Sequence, residues 1–190
     1  MSLAIRQLKP DDWPAVEGLF GRNGGCGGCW CMWWRVEKGG KTWDAAKGEP
    51  NRRALRKLVG AGRCHAVIAS EDDVPVGWCS FGPRQQFPRL LRARKLNRPD
   101  AAPWAIVCFY LPARQRGKGL ATKLLKAATE TAFAAGASSI EGYPVVPKPG
   151  QAMPGAFAWT GVPAMYERAG YRTAAHDAGA RKIYLATRRR

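Results

Sequence analysis

Arg116-Gly117-Lys118-Gly119-Leu120-Ala121 decides how this sequence folds, because it stands between an apolar run and a long amphipathic pattern. Upstream, Trp104-Ala105-Ile106-Val107-Cys108-Phe109-Tyr110-Leu111 is unbroken apolar sequence, rich in aromatic and β-branched residues and bounded by Pro103 and Pro112. It reads as a strand buried on both faces. Downstream, Leu120, Leu124, Ala128, Ala132 and Ala135 recur at helical spacing, with Lys118, Lys123, Lys126 and Glu130 on the other side and Gly136 as the stop. A strand that passes through two glycines into a helix start makes an anion site. No Cβ keeps a ligand off the backbone, and the first-turn N–H groups, which lack intrahelical partners, point outward together. A phosphate is the expected guest.

A second segment, Ala164-Met165-Tyr166-Glu167-Arg168-Ala169-Gly170-Tyr171, reads as a short helix with Pro163 in its first turn and Gly170 at its end, running into an aromatic residue that begins a strand. The other phosphate-loop signatures do not fit, since neither Gly-x-x-x-x-Gly-Lys-Ser/Thr nor a dinucleotide Gly-x-Gly-x-x-Gly opens the long helix. Strand, Arg-x-x-Gly-x-Ala, helix, and later Tyr-Glu-x-x-Gly-Tyr resemble the acyl-CoA motif and the late Tyr-Glu-x-x-Gly-Phe stretch of the GNAT superfamily of N-acetyltransferases. Arg116, Gly119 and Ala121 fill the fixed positions of the first, and a tyrosine replaces the final phenylalanine of the second. The Cys-x-Cys-x-x-Trp-Arg segment is similar to one in a subset of bacterial members of unassigned substrate.

The resemblance implies an α/β (α+β) fold, a mixed and mainly antiparallel sheet of six or seven strands flanked by helices. It implies acetyl-CoA as co-substrate and direct attack of a primary amine on the thioester. Backbone N–H groups of Arg116, Gly117, Lys118, Gly119, Leu120 and Ala121 would cradle the pyrophosphate, with charge added by Arg114, Arg116 and Lys118. Leu111 and Ala113 would pair with the pantetheine amides, and the final N–H of the same strand would face the thioester oxygen as charge develops there. Tyr166 takes the place of the general acid that protonates the thiolate, against the alternative of a packed tyrosine with one hydrogen bond. Trp104 to Leu111 contains no carboxylate, so the base falls to Glu141 on the neighbouring strand, whose alternative is a solvated or salt-bridged strand residue, or to water leading to bulk. His65 and His176 look remote in this topology.

Cys26-Gly-Gly-Cys29-Trp-Cys31-Met-Trp-Trp34-Arg35 admits three readings. A zinc site lacks a nearby fourth ligand, which Cys64 or His65 would have to supply through the fold. A reactive thiol needs a depressed pKa. The reading preferred is an aromatic wall in which Trp30, Trp33 and Trp34 shape the acceptor pocket, suited to a small amine with apolar faces or a cation held by π contacts. No metal is expected. An aminoglycoside would want several carboxylates, and a peptide amine is the other weaker alternative.

The chain has 190 residues and reads as one domain, with a core from 3 to 187 and a basic tail at 188–190. The start lacks a secretory apolar core and no stretch is long enough for a membrane span, which points to the cytoplasm and to reduced thiols. Lys and Arg outnumber Asp and Glu 31 to 14, a formal charge of +17. Such a charge suits polyanionic partners, coenzyme A among them, but a solvated basic surface is the reading preferred over nucleic acid, and a catalytically idle basic module for nucleic acid is the rival function. Monomer and homodimer both remain open.

The other elements predicted are a strand from Leu3 to Leu8, a helix capped by Asp11 and running to Phe20, and a glycine-rich breaker from Gly21 to Gly28. A helix over Asn51–Val59 is followed by strands Cys64–Ser70 and Val76–Phe81 around Glu71-Asp72-Asp73. An insertion between Gly82 and Pro103 holds a short basic helix within Phe87–Leu96. Strand Ser139–Tyr143, the long loop Pro144–Gly161 and a closing hairpin, Tyr171–Ala175 with Lys182–Thr187, complete the order.

Overall fold

The computed structural model describes residues 2–37, 39–96, 99, 101–147, 155, 157–178 and 181–188, the side chains of 175–178 and 181 excepted. Arg189 and Arg190 of the basic tail, the His176 side chain and part of the loop after Pro144 lie outside the described residues.

Seven strands, β1 (Leu3–Gln7), β2 (Ala66–Glu71), β3 (Val74–Pro83), β4 (Trp104–Tyr110), β5 (Ser139–Gly142), β6 (Arg172–Ala178) and β7 (Arg181–Thr187), form one sheet in the order β1-β2-β3-β4-β5-β7-β6. Every neighbouring pair is antiparallel except β4 with β5. The β2–β3 hairpin turns on Asp72 and Asp73, whose φ angles of 47° and 64° are left-handed, as a two-residue turn matched to strand twist requires. Aspartate tolerates that region better than most residues, and the Asp72 carboxylate also accepts the Ser2 N–H at 2.9 Å.

Among the described residues six α-helices flank the sheet: α1 (Trp13–Phe20), α2 (Lys41–Ala46), α3 (Glu49–Gly60), α4 (Pro88–Leu91), α5 (Leu120–Ala134) and α6 (Pro163–Arg168). The long helix lays Leu120, Leu124, Leu125, Ala128 and Ala132 on one face of the sheet, against Val67, Ala69, Cys79, Phe81 and Ile106. On the opposite face, α1, α3 and the Cys/Trp segment pack Val16, Phe20, Trp30, Trp34 and Leu55 against Ile68 and Trp78. The alternation of Val67 and Ala69 with Ala66 and Ile68 between the two cores is the period-two signature of a strand covered on both sides. Burying each large side chain of this kind contributes about 1.5–3 kcal/mol.

Several local features depart from the sequence expectations. Asp12 rather than Asp11 precedes α1, and its carboxylate is turned back onto the Lys9 N–H at 2.6 Å and the Arg6 guanidinium rather than capping the helix. The short basic helix expected in the insertion forms as α4, and i→i+3 bonds from Ala93 to Leu90 and from Leu96 to Ala93 then fold the chain back and bury Leu96. Helix α2, which buries Trp43, escaped prediction because a six-residue element is too short to show a helical period.

Two irregularities of the central strands prepare the site. The β3–β4 register passes from Ser80↔Cys108 to Phe81↔Ile106, so Val107 is skipped and both Val107 and Cys108 face the α1 side. Strands β4 and β5 pair only over Trp104↔Ile140, Ala105↔Glu141 and Ile106↔Gly142, and beyond that point they diverge. Gly142 ends the paired stretch because Tyr166 packs onto it; a Cβ there would lie 2.0 Å from Tyr166 Cε1.

Candidate active site

The turn between β4 and α5 takes the shape its glycines allow. Gly117 and Gly119 have φ of 76° and 79°, and Gly119 forms the N-cap of α5 without any side-chain cap. The first helical bond is made by Thr122 N–H to Gly119 O at 3.1 Å, so the N–H groups just before it belong to the helix mouth. Arg116 is held beside this mouth by its Nε, which donates to Leu111 O at 3.0 Å.

A cavity of about 710 Å³ begins at this turn, where Arg116, Gly117, Gly119, Leu120, Ala121 and Thr122 line it, and follows Leu111, Tyr110, Phe109 and Cys108 along β4. Its far end is aromatic, with Phe20, Trp33, Trp43 and Trp159, and it also meets Cys26, Cys29 and Cys31. Of the turn residues proposed from sequence, Arg114, Lys118 and Ala113 stand outside this lining. Trp33 is the one member of the proposed tryptophan wall that lines the cavity. Its ring meets Trp43 edge-on at 5.1 Å and Trp159 at 6.4 Å, and the Arg89 guanidinium lies 3.4 Å from its centroid. Trp30 is buried between Trp13 and Phe20, at 5.9 and 5.6 Å. Trp34 is buried with its indole N–H donating to Val107 O at 3.0 Å, which ties the Cys/Trp segment to the β4 bulge.

Where β4 and β5 diverge, the segment Trp159–Gly161 lies between them. Phe109 N–H donates to Trp159 O at 2.7 Å and Val145 N–H donates to Gly161 O at 2.9 Å. Tyr166 donates its hydroxyl to Thr160 O at 3.0 Å. The Tyr166 ring is fully buried, set edge-on to Tyr171 at 5.2 Å, and is not among the cavity-lining side chains, although its neighbour Met165 is. Burial pushes its phenol well above the ordinary tyrosine value, so the proton stays on oxygen.

Glu141 is placed away from the cavity. It is fully buried on β5, accepts the Ala102 N–H at 3.1 Å and the Tyr143 hydroxyl at 3.1 Å, and lies 3.5 Å from Arg84 Nη1. Arg84 also donates to the Tyr143 oxygen at 2.6 Å and to Leu96 O. This closed network fixes β5 against the insertion.

The cysteines are free thiols, Cys26 exposed and Cys31, Cys64, Cys79 and Cys108 buried. Burial raises the Cys29 thiol to about 11. Cys31 is buried at the cavity wall, and burial alone would raise it. Hydrogen bonds from Cys108 and from the Trp78 indole at 3.3 Å, with the charge of Arg35, outweigh that effect and lower it instead. Cys108 is raised, by its hydrogen bond with Cys31 and by burial. Among the described residues no group of three or more His, Cys, Asp or Glu is gathered to hold a metal ion, and none of the helices is long and apolar enough to cross a membrane.

Sequence reasoning missed Trp43, Trp159, Phe20 and the bulged Cys108. A lone tryptophan in a short helix or a loop carries no periodic signal, and a bulge is set by pairing across strands, which one strand's sequence does not reveal.

Residues 30–146 match the acetyltransferase (GNAT) family. No curated protein sequence matches the chain. Among solved structures, AAC(6')-Ib in complex with ribostamycin and coenzyme A is similar at 21% identity and a TM-score of 0.56, over 99% of this chain and 94% of that one. The PaiA N-acetyltransferase of Thermoplasma acidophilum in complex with coenzyme A is 14% identical at a TM-score of 0.54, over 99% and 100%. The ribosomal-protein-S5-alanine acetyltransferase of Vibrio fischeri is 14% identical at 0.51, over 98% and 93%. At these identities the likeness is one of fold.

Proposed function

Because the chain belongs to the acetyltransferase (GNAT) family, we propose that it transfers an acetyl group from acetyl-CoA to a primary amine of a small molecule by direct attack. One observation carries this reading: a single cavity runs from the glycine turn at the mouth of α5, along β4, to an aromatic end large enough for an acceptor. The residues present fit the co-substrate. Its diphosphate suits the N–H groups around Gly117 to Ala121, with Arg116 at the rim adding charge. Its thioester supplies the activated acyl group.

The protein's part in the chemistry is to place two donors. In this mechanism the Phe109 N–H faces the thioester oxygen, where negative charge grows, and the Tyr166 hydroxyl gives its proton to the departing sulfur. Both donors now point at consecutive carbonyls, Trp159 and Thr160, so the segment Trp159–Gly161 must yield before they act. A phenol raised by burial keeps its proton at neutral pH, and it gives that proton up only to a thiolate held close and as poorly solvated as itself. With Glu141 closed into its own network, the amine proton leaves through water.

Calorimetric titration with acetyl-CoA, followed by a thiol-release assay over a panel of amines, tests the proposal. Saturable uptake and amine-dependent thiol release are expected. No uptake, together with salt-sensitive retention on DNA, would instead favour a basic nucleic-acid module for this chain of charge +17.

A further inference from the structure

We propose that Trp34 is a positioning residue for acetyl transfer: by donating its indole N–H to Val107 O it holds the β4 bulge in place, and the bulge fixes the direction of the Phe109 N–H that faces the thioester oxygen, an inference that rests on the acetyltransferase reading above. The Cys/Trp segment thereby has a task inside the sheet as well as at the cavity wall.

The bulge takes a partner from outside the sheet. Val107 has no register partner on β3, where pairing passes from Ser80↔Cys108 to Phe81↔Ile106, and none on β5, where pairing ends at Ile106↔Gly142. The residue is buried, so its carbonyl needs a donor. Trp34 supplies one at 3.0 Å from the α1 side of the sheet. The bulge sets the direction of every β4 residue beyond it. In a strand of L-residues the face taken by a side chain and the edge taken by its N–H alternate together, so a slip of one residue past Val107 would exchange both. As the strand stands, Cys108 packs on the α1 side and Phe109 on the α5 side, and the Phe109 N–H opens into the gap between β4 and β5, where Trp159 O accepts it.

One tight turn provides the grip. Bonds from Met32 N–H to Cys29 O at 3.0 Å and from Arg35 N–H to Met32 O at 2.9 Å fold the segment, and Trp30 and Cys31 enter it with left-handed backbone, φ 48° and 57°. Residues other than glycine persist there only where their surroundings over-determine them, a pattern that gathers at functional sites. The same turn reaches the second bulge residue, since the Cys31 sulfur accepts the Trp78 indole N–H at 3.3 Å and is hydrogen-bonded with Cys108. Trp34 and Cys31 thus hold Val107 and Cys108 from one side. The Trp34 ring also lies 5.8 Å from that of Trp159, whose carbonyl takes the Phe109 N–H. When the segment Trp159–Gly161 yields, the bond to Val107 still aims Phe109. A bonded indole is not the rule in this core, because the buried N–H of Trp13 has no hydrogen-bond partner among the described residues.

Trp34→Phe keeps an aromatic ring and deletes the donor, and Trp13→Phe makes the same change in the same core at an indole without a partner, as the control. Calorimetry with acetyl-CoA comes first, then the single-turnover rate of transfer to an amine that the thiol-release panel has identified, both well below the melting transition. Trp34→Phe should lower the single-turnover rate by about tenfold or more while the Kd for acetyl-CoA stays within about twofold. Trp13→Phe should leave both within about twofold. An unchanged rate in Trp34→Phe overturns the inference, and so do equal losses in the two variants or a loss confined to Kd, since each reduces Trp34 to packing. Hydrogen exchange in the parent protein decides the matter if Trp34→Phe does not fold. By NMR of the indole groups, the Trp34 proton should exchange about a hundredfold more slowly than that of Trp13, and similar rates overturn the inference. No uptake of acetyl-CoA by the parent, or uptake with no amine turned over, removes the acetyltransferase reading and this inference with it, whereas a parent that binds and turns over beside an unaffected Trp34→Phe removes this inference alone.

Discussion

Phe109 donates its backbone N–H to the Trp159 carbonyl at 2.7 Å, and the next carbonyl along, that of Thr160, takes the hydroxyl of Tyr166 at 3.0 Å. Two donors that the proposed mechanism aims at one thioester are thus held by adjacent peptide units of one segment. Buried donors need partners, and this pairing satisfies both when the acyl site holds no thioester.

Tyr166→Phe separates the two duties of that hydroxyl. Loss of the bond to Thr160 leaves a buried carbonyl short of a donor and should cost about 1–3 kcal/mol in a urea titration. If the hydroxyl also protonates the thiolate, turnover should fall by about 10²-fold or more at a temperature where the variant is fully folded. Full turnover with chemistry rate-limiting would reduce Tyr166 to a packing residue.

Gly161→Ala tests the segment itself. Gly161 has φ of 83°, and a Cβ there would lie 2.3 Å from Met165 Cε and 2.9 Å from Tyr166 Cε2. Strain and overlap together should cost more than about 1 kcal/mol. The readout is the urea midpoint. A midpoint equal to that of the parent would mean that the segment sits loosely between β4 and β5.

Glu141→Gln should damage stability and spare chemistry. The change leaves the Arg84 guanidinium, 6% exposed, without its counter-charge, and breaking a buried pair from one side costs about 3–5 kcal/mol. Thermal melting should drop sharply, while kcat measured well below the transition stays within about twofold. A large fall in kcat in the folded variant, with a new dependence on pH, would return Glu141 to the role of base.

Legibility from sequence followed the kind of signal each feature leaves. The β4–turn–α5 unit is readable because its apolar run, glycines and helical period are contiguous, and the structure adds that β4 bulges at Val107 and stops at Tyr110 and that α5 ends at Ala134. The resemblance that the two motifs carry implies a mainly antiparallel sheet of six or seven strands, and seven form it. Glu141 looked like a cleft residue because it stands one strand away from the turn, yet which face of β5 it takes, and that Arg84 comes from the insertion to meet it, depend on tertiary packing. Trp30 and Trp34 were grouped with Trp33 by proximity in sequence. Left-handed backbone at Trp30 and Cys31, with φ of 48° and 57°, twists the segment so that the three rings diverge, and only Trp33 reaches the cavity.

Cys26 and Cys29 give a chemical measure of how closed the acceptor end is. Cys26 is exposed, whereas burial is the main cause that raises Cys29 to about 11, with the neighbouring Cys31 adding to it. The thiolate is the reactive form, so at pH 8 Cys29 carries roughly a hundredfold less of it than an ordinary thiol. Iodoacetamide followed by peptide mass spectrometry should therefore label Cys26 first. The rate at Cys29 should climb about tenfold per pH unit from 8 to 10, since each unit brings tenfold more thiolate while the pH stays below its pKa. A rate at Cys29 that levels off by pH 9 would show that solvent reaches this thiol, and that the aromatic end of the cavity is more open than its packing implies.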